Sequence, residues 1–206
     1  MQAILSIGIG YFLGSLSPAA LVSKLKNVNL KEEGTGNLGA TNTILTIGKA
    51  AGFFVMFFDI LKSFFSYKLA KALFPQLLAA GLLAGIGAIL GHCFPIFLHF
   101  DGGKGLAAFG GLVLAHDPKV FVCLLCFGIL MVLITNFGVA LTISAAVLFP
   151  IVEYFRSDDI SLVILCAAAS GFIIYKHLDN VEKARNDNDI HVRSYLKNVF
   201  FKRKKK

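Results

Sequence analysis

Long apolar runs, separated by short polar loops, decide what this chain can become. Seven such segments can be drawn, at about 2–25, 46–67, 77–98, 105–115, 119–135, 138–155 and 159–177. A helix needs about 20 apolar residues to cross a bilayer core. Inside lipid every backbone N–H and C=O must be satisfied within the structure, which favours helices. The charged fraction is 16% and the mean hydropathy +0.74, against roughly a quarter charged residues in soluble domains. The expected fold is therefore all-α, a polytopic transmembrane bundle of about seven helices. It forms one domain over residues 1–206, with 192–206 as a basic cytoplasmic tail. The segment 105–115 is short for a span, so it is expected to be a short or re-entrant helix.

Charge sets an expected orientation. No Lys or Arg precedes Lys24. A secretory signal carries its positive charge before the apolar run, so the first segment reads as a retained span with its N-terminus outside. Seven crossings then leave the C-terminus inside, as five would, so parity does not fix the count. Lys62, Lys68, Lys71, Lys119 and Arg156 fall elsewhere, and the other 15 of the 20 cations fall on the inner side. That bias is what the positive-inside rule expects. The net charge of +8 suits anionic lipid headgroups rather than nucleic acid. Cys123 and Cys126 share a helix face but have no further ligands at metal-site spacing. The four cysteines read as small packing groups, and no metal or cofactor is expected.

Three polar stretches gather on the inner side. The first is Gly34-Thr35-Gly36-Asn37-Leu38-Gly39-Ala40-Thr41-Asn42, with Lys31 upstream. Its glycines permit tight turns, and consecutive N–H groups before a helix make an anion cradle. The alternative is a close helix crossing through small residues. The second stretch holds Gly91-His92-Cys93-Phe94-Pro95 and Asp101-Gly102-Gly103-Lys104-Gly105. Lys104 between glycines suits a phosphate, although the nucleotide P-loop spacing is absent. His92 is open to either a ligand role or helix-end hydrogen bonding. The third is His177-Leu178-Asp179-Asn180-Val181-Glu182-Lys183. On a continuing helix it sets an acid–base group, an amide and a cation along one side. An interfacial histidine on a solvated tail helix is the alternative.

GTGNLGATN, GHCFPIFLHFDGGKG and HLDNVEK, in this order and at these separations, resemble the three signature motifs of the bacterial acyl-phosphate:glycerol-3-phosphate acyltransferases. The resemblance covers nearly the whole chain. It implies an all-helical inner-membrane enzyme with its motifs on the cytoplasmic side. It also implies acyl transfer from a fatty acyl phosphate to the 1-hydroxyl of glycerol 3-phosphate, without acyl-CoA. The His-x4-Asp pattern of soluble-type acyltransferases is absent. The residues five beyond His92, His99, His116, His177 and His191 are Phe97, Lys104, Phe121, Glu182 and Leu196.

On that resemblance His177 and Lys104 are the expected catalytic residues. His177 would orient or deprotonate the glycerol hydroxyl. Lys31, Thr35, Gly36, Asn37, Asn42, Gly102, Gly103, Asn180 and Lys183 are the expected phosphate and substrate contacts. The expected partners are glycerol 3-phosphate, fatty acyl phosphate and membrane lipid, with no nucleic acid. The chain departs from the family pattern at several positions. Lys31 stands where Arg is usual, Thr35 where Ser is, Asp101 where Lys precedes the second Gly loop, and Lys183 where Arg is. Asp187, Asp189 and His191 replace a Gly-x-Glu-x-Lys run. Asn136-Phe137-Gly138-Val139 replaces Arg-Tyr-Val-Ser, with Thr142 and Ser144 as nearby hydroxyls. These departures motivate the alternative of a non-catalytic paralogue that binds or regulates phospholipid precursors.

Overall fold

The computed structural model describes residues 1–186 and 191–193. Most of the tail 192–206, and the departures at Asp187 and Asp189, lie outside the described residues. The helices are α1 (Gln2–Gly14), α2 (Pro18–Lys26), α3 (Ala40–Thr46), α4 (Lys49–Leu73) and α5 (Ala80–Cys93). After a 3-10 turn at Ile96–Leu98 come α6 (Leu106–His116), α7 (Pro118–Thr135), α8 (Val139–Tyr154), α9 (Ile160–Lys176) and α10 (Leu178–Arg185).

Local chemistry places the breaks. The first apolar segment is not one helix: Pro18 starts α2, and Ser17 caps it by accepting from the Ala20 N–H at 3.2 Å. Proline at the first helical position suits a helix start. Asp117 separates α6 from α7 in the same way. Its carboxylate accepts from the N–H groups of Lys119 at 2.7 Å and Val120 at 3.0 Å, ahead of Pro118. Those N–H bonds, with Arg156 alongside, hold the Asp117 carboxyl below the usual carboxylate range. Asp159 caps α9 through the Ser161 N–H at 2.8 Å.

Contacts between helices fix their directions. Gly87 meets Ile7 and Gly91 meets Ser15, so α1 and α5 run parallel. A Cβ at Gly91 would sit 2.2 Å from the Tyr11 carbonyl oxygen, so only glycine allows this approach. Tyr67 faces Gly81 while Asp59 meets His92, which makes α4 antiparallel to α5. Ile60 faces Gly111 and Tyr67 bonds His116, so α6 follows α4. Gly128 packs on Leu141 between α7 and α8, and His116 meets Glu153 where α6 and α8 end. The α1, α5, α7 and α9 helices thus run one way, and α4, α6 and α8 return.

One end of the bundle carries residues 15–48, 93–105, 135–139 and 177–186. The other carries Met1 and residues 74–79, 116–119 and 154–159. Among the described residues, four stretches are long and apolar enough to cross a membrane: Gln2–Lys26, Lys49–Leu73, Ala80–Leu98 and Pro118–Thr135. The α9–α10 pair, bent by 51°, adds a fifth when the two helices are counted as one span. Only 17% of the Pro118–Thr135 stretch is buried, so α7 presents an apolar surface fit for lipid. The α6 helix has 11 residues, about 16 Å of rise against a core of roughly 30 Å. The stretch 101–105 before it is not helical. Its backbone is satisfied inside the bundle by Gly102 N–H to the Cys93 carbonyl at 3.2 Å and Gly103 N–H to the His92 carbonyl at 3.1 Å. Non-helical backbone at membrane depth needs such partners.

Candidate functional site

The three polar stretches meet at one end of the bundle. The first loop is held by Asn42, which is fully buried. Its Nδ2 donates to the carbonyls of Leu30 at 2.7 Å and Glu33 at 3.1 Å. Its Oδ1 accepts from the Thr35 N–H at 2.7 Å. Both amide hydrogens and the carbonyl are thereby engaged, so Asn42 acts on the site by shaping the loop. Gly34 has φ +62, and a Cβ there would lie 2.2 Å from Asn42 Oδ1. Thr35 and Gly36 are exposed, Asn37 is half-buried and Leu38 is buried.

The second loop turns sharply at His99 and Phe100, which take φ 54 and φ 61, uncommon values outside glycine. The chain then descends into the bundle. At Gly103 a Cβ would sit 2.2 Å from His92 Nε2 and 2.9 Å from the Leu38 carbonyl oxygen. Gly103 is therefore where the second loop touches the first. At Gly102 a Cβ would sit 2.2 Å from the His92 carbonyl oxygen. Lys31 Nζ also bridges the two loops, 2.7 Å from Asp101 Oδ2, with the two side chains 40% and 71% exposed. Two positions that depart from the family pattern thus face each other. An exposed pair of this kind is worth about 0–1 kcal/mol, so it holds Lys31 only weakly.

The third stretch reaches the second through Lys104, whose Nζ donates to Asn180 Oδ1. His177 is buried at 7% exposure, at the elbow between α9 and α10. The expected continuous helix is instead bent here by 51°. The Asn180 N–H still donates to the His177 carbonyl at 3.0 Å, one turn on. His177 Nδ1 lies 2.9 Å from the Ile173 carbonyl oxygen. A carbonyl only accepts, so Nδ1 carries the hydrogen and Nε2 presents a lone pair. Lys183 is exposed on α10.

Beneath the loops lies a charged cluster that sequence reasoning missed. Lys62 Nζ is 2.8 Å from Asp59 Oδ1 and 3.0 Å from His92 Nδ1, and it donates to the Leu16 carbonyl at 2.9 Å. His92 Nδ1 is 3.2 Å from Asp59 Oδ1. The three side chains are at most 8% exposed. His92, left open on sequence, belongs to this cluster, with Nε2 turned to Gly103. Two ionisable residues three apart in an apolar run were the available signal.

Two cavities flank these features. One, of about 490 Å³, opens beside the first loop and is lined by Lys24, Asn27, Asn29, Lys31, Leu38 and Leu98 among others. The other, about 370 Å³ and apolar, lies between α7 and α8 and includes Ser144. Ser144 donates to the Leu141 carbonyl at 3.2 Å and Thr142 is buried. Asn136, at φ 68, accepts from the Arg193 N–H at 2.8 Å and lies 3.0 Å from His191 Nδ1. It ties the α7–α8 turn to the chain beyond α10.

The fold and this polar end define a polytopic, all-helical membrane protein with three loop motifs converging on one face. The glycerol-3-phosphate acyltransferase family profile matches residues 4–187. Glycerol-3-phosphate acyltransferase of Bacillus subtilis strain 168 is 36% identical over 197 residues, covering 94% of this chain and 99% of that one. The enzyme of that name from Thermosipho melanesiensis is 34% identical over 189 residues, covering 92% of each. Among solved structures, PlsY in its glycerol 3-phosphate form, described as an integral membrane glycerol 3-phosphate acyltransferase, superposes with TM-score 0.86. It is 28% identical, over 93% of this chain and 96% of that one. Its lysophosphatidic acid form gives 0.84 at 27% identity. The chain belongs to the glycerol-3-phosphate acyltransferase family. It is an integral, multi-pass membrane enzyme of the acyltransferase class.

Proposed function

We propose that the chain transfers a fatty acyl group from an acyl phosphate to the 1-hydroxyl of glycerol 3-phosphate. The products are 1-acyl-glycerol 3-phosphate and inorganic phosphate, and the reaction is the first step of phospholipid synthesis. The observation that supports this most is the Lys104–Asn180 contact. It joins a Gly-rich, cationic loop to the helix turn that carries His177.

Both substrates carry phosphate, so two anion sites are needed. Lys31 with the loop from Thr35 to Asn37 supplies one, on a frame set by Asn42. Gly102, Gly103 and Lys104 supply the second, and Asn180 and Lys183 orient glycerol 3-phosphate. His177 Nε2 takes the proton as the 1-hydroxyl attacks the acyl carbon, a modest-base role suited to imidazole. Phosphate leaves readily, so orientation and charge stabilisation carry most of the barrier reduction, without a covalent acyl-enzyme. Neighbouring solved forms bear glycerol 3-phosphate and lysophosphatidic acid, the acceptor and product this reading assigns.

The test is donor choice. Purified protein in detergent, given glycerol 3-phosphate, is expected to release phosphate and form the lysolipid from palmitoyl phosphate. Equal turnover with palmitoyl-CoA would overturn the donor assignment. Orientation is a separate expectation: the loop end faces the cytoplasm and the N-terminus the outside. Lys24, Lys26, Lys31, Lys49, Lys104, Lys176 and Lys183 gather at that end, and only Lys68, Lys71, Lys119 and Arg156 at the other among the described residues. Glu32 is exposed on the first loop. An E32C variant should resist an impermeant maleimide in intact cells and react after permeabilisation. Labelling of intact cells would reverse the topology.

A further inference from the structure

At the bundle end opposite the polar loops, side chains from four helices meet. His116 closes α6, Glu153 lies in the last turn of α8, Cys166 lies within α9 and Tyr67 comes from α4. The proposed acyl transfer uses none of them. His116 Nε2 is 2.9 Å from Glu153 Oε2, and Tyr67 Oη is 3.1 Å from His116 Nδ1. The donor atoms of His116, Glu153 and Cys166 all lie within 4.8 Å of one another. The side chains of His116 and Glu153 are 14% and 8% exposed, and Cys166 is fully buried.

We propose that His116 Nε2, the Glu153 carboxylate and Cys166 Sγ bind one divalent cation of the zinc class. The ion would clamp the ends of α6 and α8 to the body of α9.

The donor set is the first argument. Imidazole, carboxylate and thiolate together suit a borderline-soft cation such as zinc, and three protein ligands leave a fourth position for water. A neutral imidazole, a carboxylate and a thiolate exactly balance a double positive charge, which matters in apolar surroundings where net charge is costly. The orientation of His116 is the second argument. A metal-binding imidazole usually has its other nitrogen held by a hydrogen bond. Here Tyr67 Oη holds Nδ1, and Nε2, which donates to the Glu153 carboxylate without metal, would bind the ion once the ring hydrogen passes to Nδ1 and points at Tyr67. Phe149 stands edge-on to the ring at 5.9 Å, giving an apolar wall. Access is the third. The cluster sits at the membrane-end turn, where the Asp117–Arg156 ion pair also joins α6 to the end of α8. Zinc bonds of about 2.0–2.3 Å set ligand atoms roughly 3.5 Å apart, so ligand atoms now up to 4.8 Å apart would close by about 1.3 Å at most, while the 2.9 Å His116–Glu153 pair would open slightly. These ligands come from three separate helices and share no local spacing, so nothing in the sequence sets them together.

Cobalt(II) provides the test, because a thiolate ligand gives it a charge-transfer band in the near ultraviolet. The full-length protein in detergent, stripped with a chelator, should take up one equivalent and show that band. Zinc at a hundredfold excess over its Kd should raise the thermal midpoint by roughly 5–10 °C. Cys166→Ala should fold, as its metal-free midpoint will report, and should lose both the band and the zinc shift. A Cys123→Ala/Cys126→Ala double variant, altered at the exposed cysteines of α7, should keep both. No saturable cobalt uptake by the unaltered protein would overturn the proposal. It would leave a hydrogen-bonded Tyr67–His116–Glu153 network. An undiminished band in Cys166→Ala, or its loss in the double variant, would overturn it equally.

Discussion

His177→Ala is expected to lower kcat by about 10²- to 10⁴-fold, the usual weight of a positioned general base. The KM for glycerol 3-phosphate should stay within a few-fold. The expectation rests on a tautomer. The Ile173 carbonyl, 2.9 Å from Nδ1, requires the ring hydrogen on Nδ1, which leaves Nε2 able to accept a proton. The ring's place is set by the 51° bend between α9 and α10, and Asn180 follows one turn later, linked to Lys104. A histidine that only capped the end of α9 would behave differently. Its removal would cost about one hydrogen bond, roughly 0.5–1.5 kcal/mol of stability, with turnover largely kept. Phosphate release from palmitoyl phosphate, measured across pH, separates the two. The unaltered enzyme should gain activity as an imidazole loses its proton, and the residual activity of the variant should not follow that curve. Turnover within a few-fold of the parent would remove His177 from the chemistry.

Much of this architecture was legible because it is periodic or local. The seven apolar runs reappear in order, and the run at 105–115 is the short helix α6. The polar stretches share one end because successive antiparallel segments must alternate. Boundaries were less legible. The first run conceals a break at Ser15–Ser17 that the Ser17–Pro18 cap signals locally. The second run extends to Leu73, since Lys68 and Lys71 can lie at the interface with their stems on apolar surface. Pairings between distant segments were not legible at all. Asn42 looked like a ligand group, yet its amide is engaged by Leu30, Glu33 and Thr35. That follows from how the loop folds back on α3, which spacing does not encode. Asp59 and Lys62 were visible as charges in an apolar run, but their union with His92 depends on α4 lying antiparallel to α5. The same holds for the Lys31–Asp101 pair. Each residue alone weakens the family pattern, and only the fold sets them together.

That buried union makes Gly103 the other position where a small change should have a large effect. Gly103→Ala is expected to lower kcat/KM by about 100-fold while the protein still folds. The added Cβ would lie 2.2 Å from His92 Nε2 and 2.9 Å from the Leu38 carbonyl oxygen. Imidazole could relieve the first contact by swinging aside only if it were free. Here Nδ1 is held between Lys62 and Asp59, both nearly inaccessible. Breaking such a buried set by displacing one member costs about 3–5 kcal/mol. Moving the second loop is the cheaper response. The shift would carry Lys104 with it and strain its contact with Asn180, and a misplacement of about 1 Å at a reacting centre costs roughly 100-fold. Gly8→Ala and Gly171→Ala are matched controls, because nothing lies within 4 Å of a Cβ at either position. Both should retain parental kinetics. Steady-state phosphate release for the three variants, with thermal midpoints to verify folding, decides the matter. Parental kcat/KM in Gly103→Ala would mean that the His92 cluster yields, and that it does not set the position of Lys104.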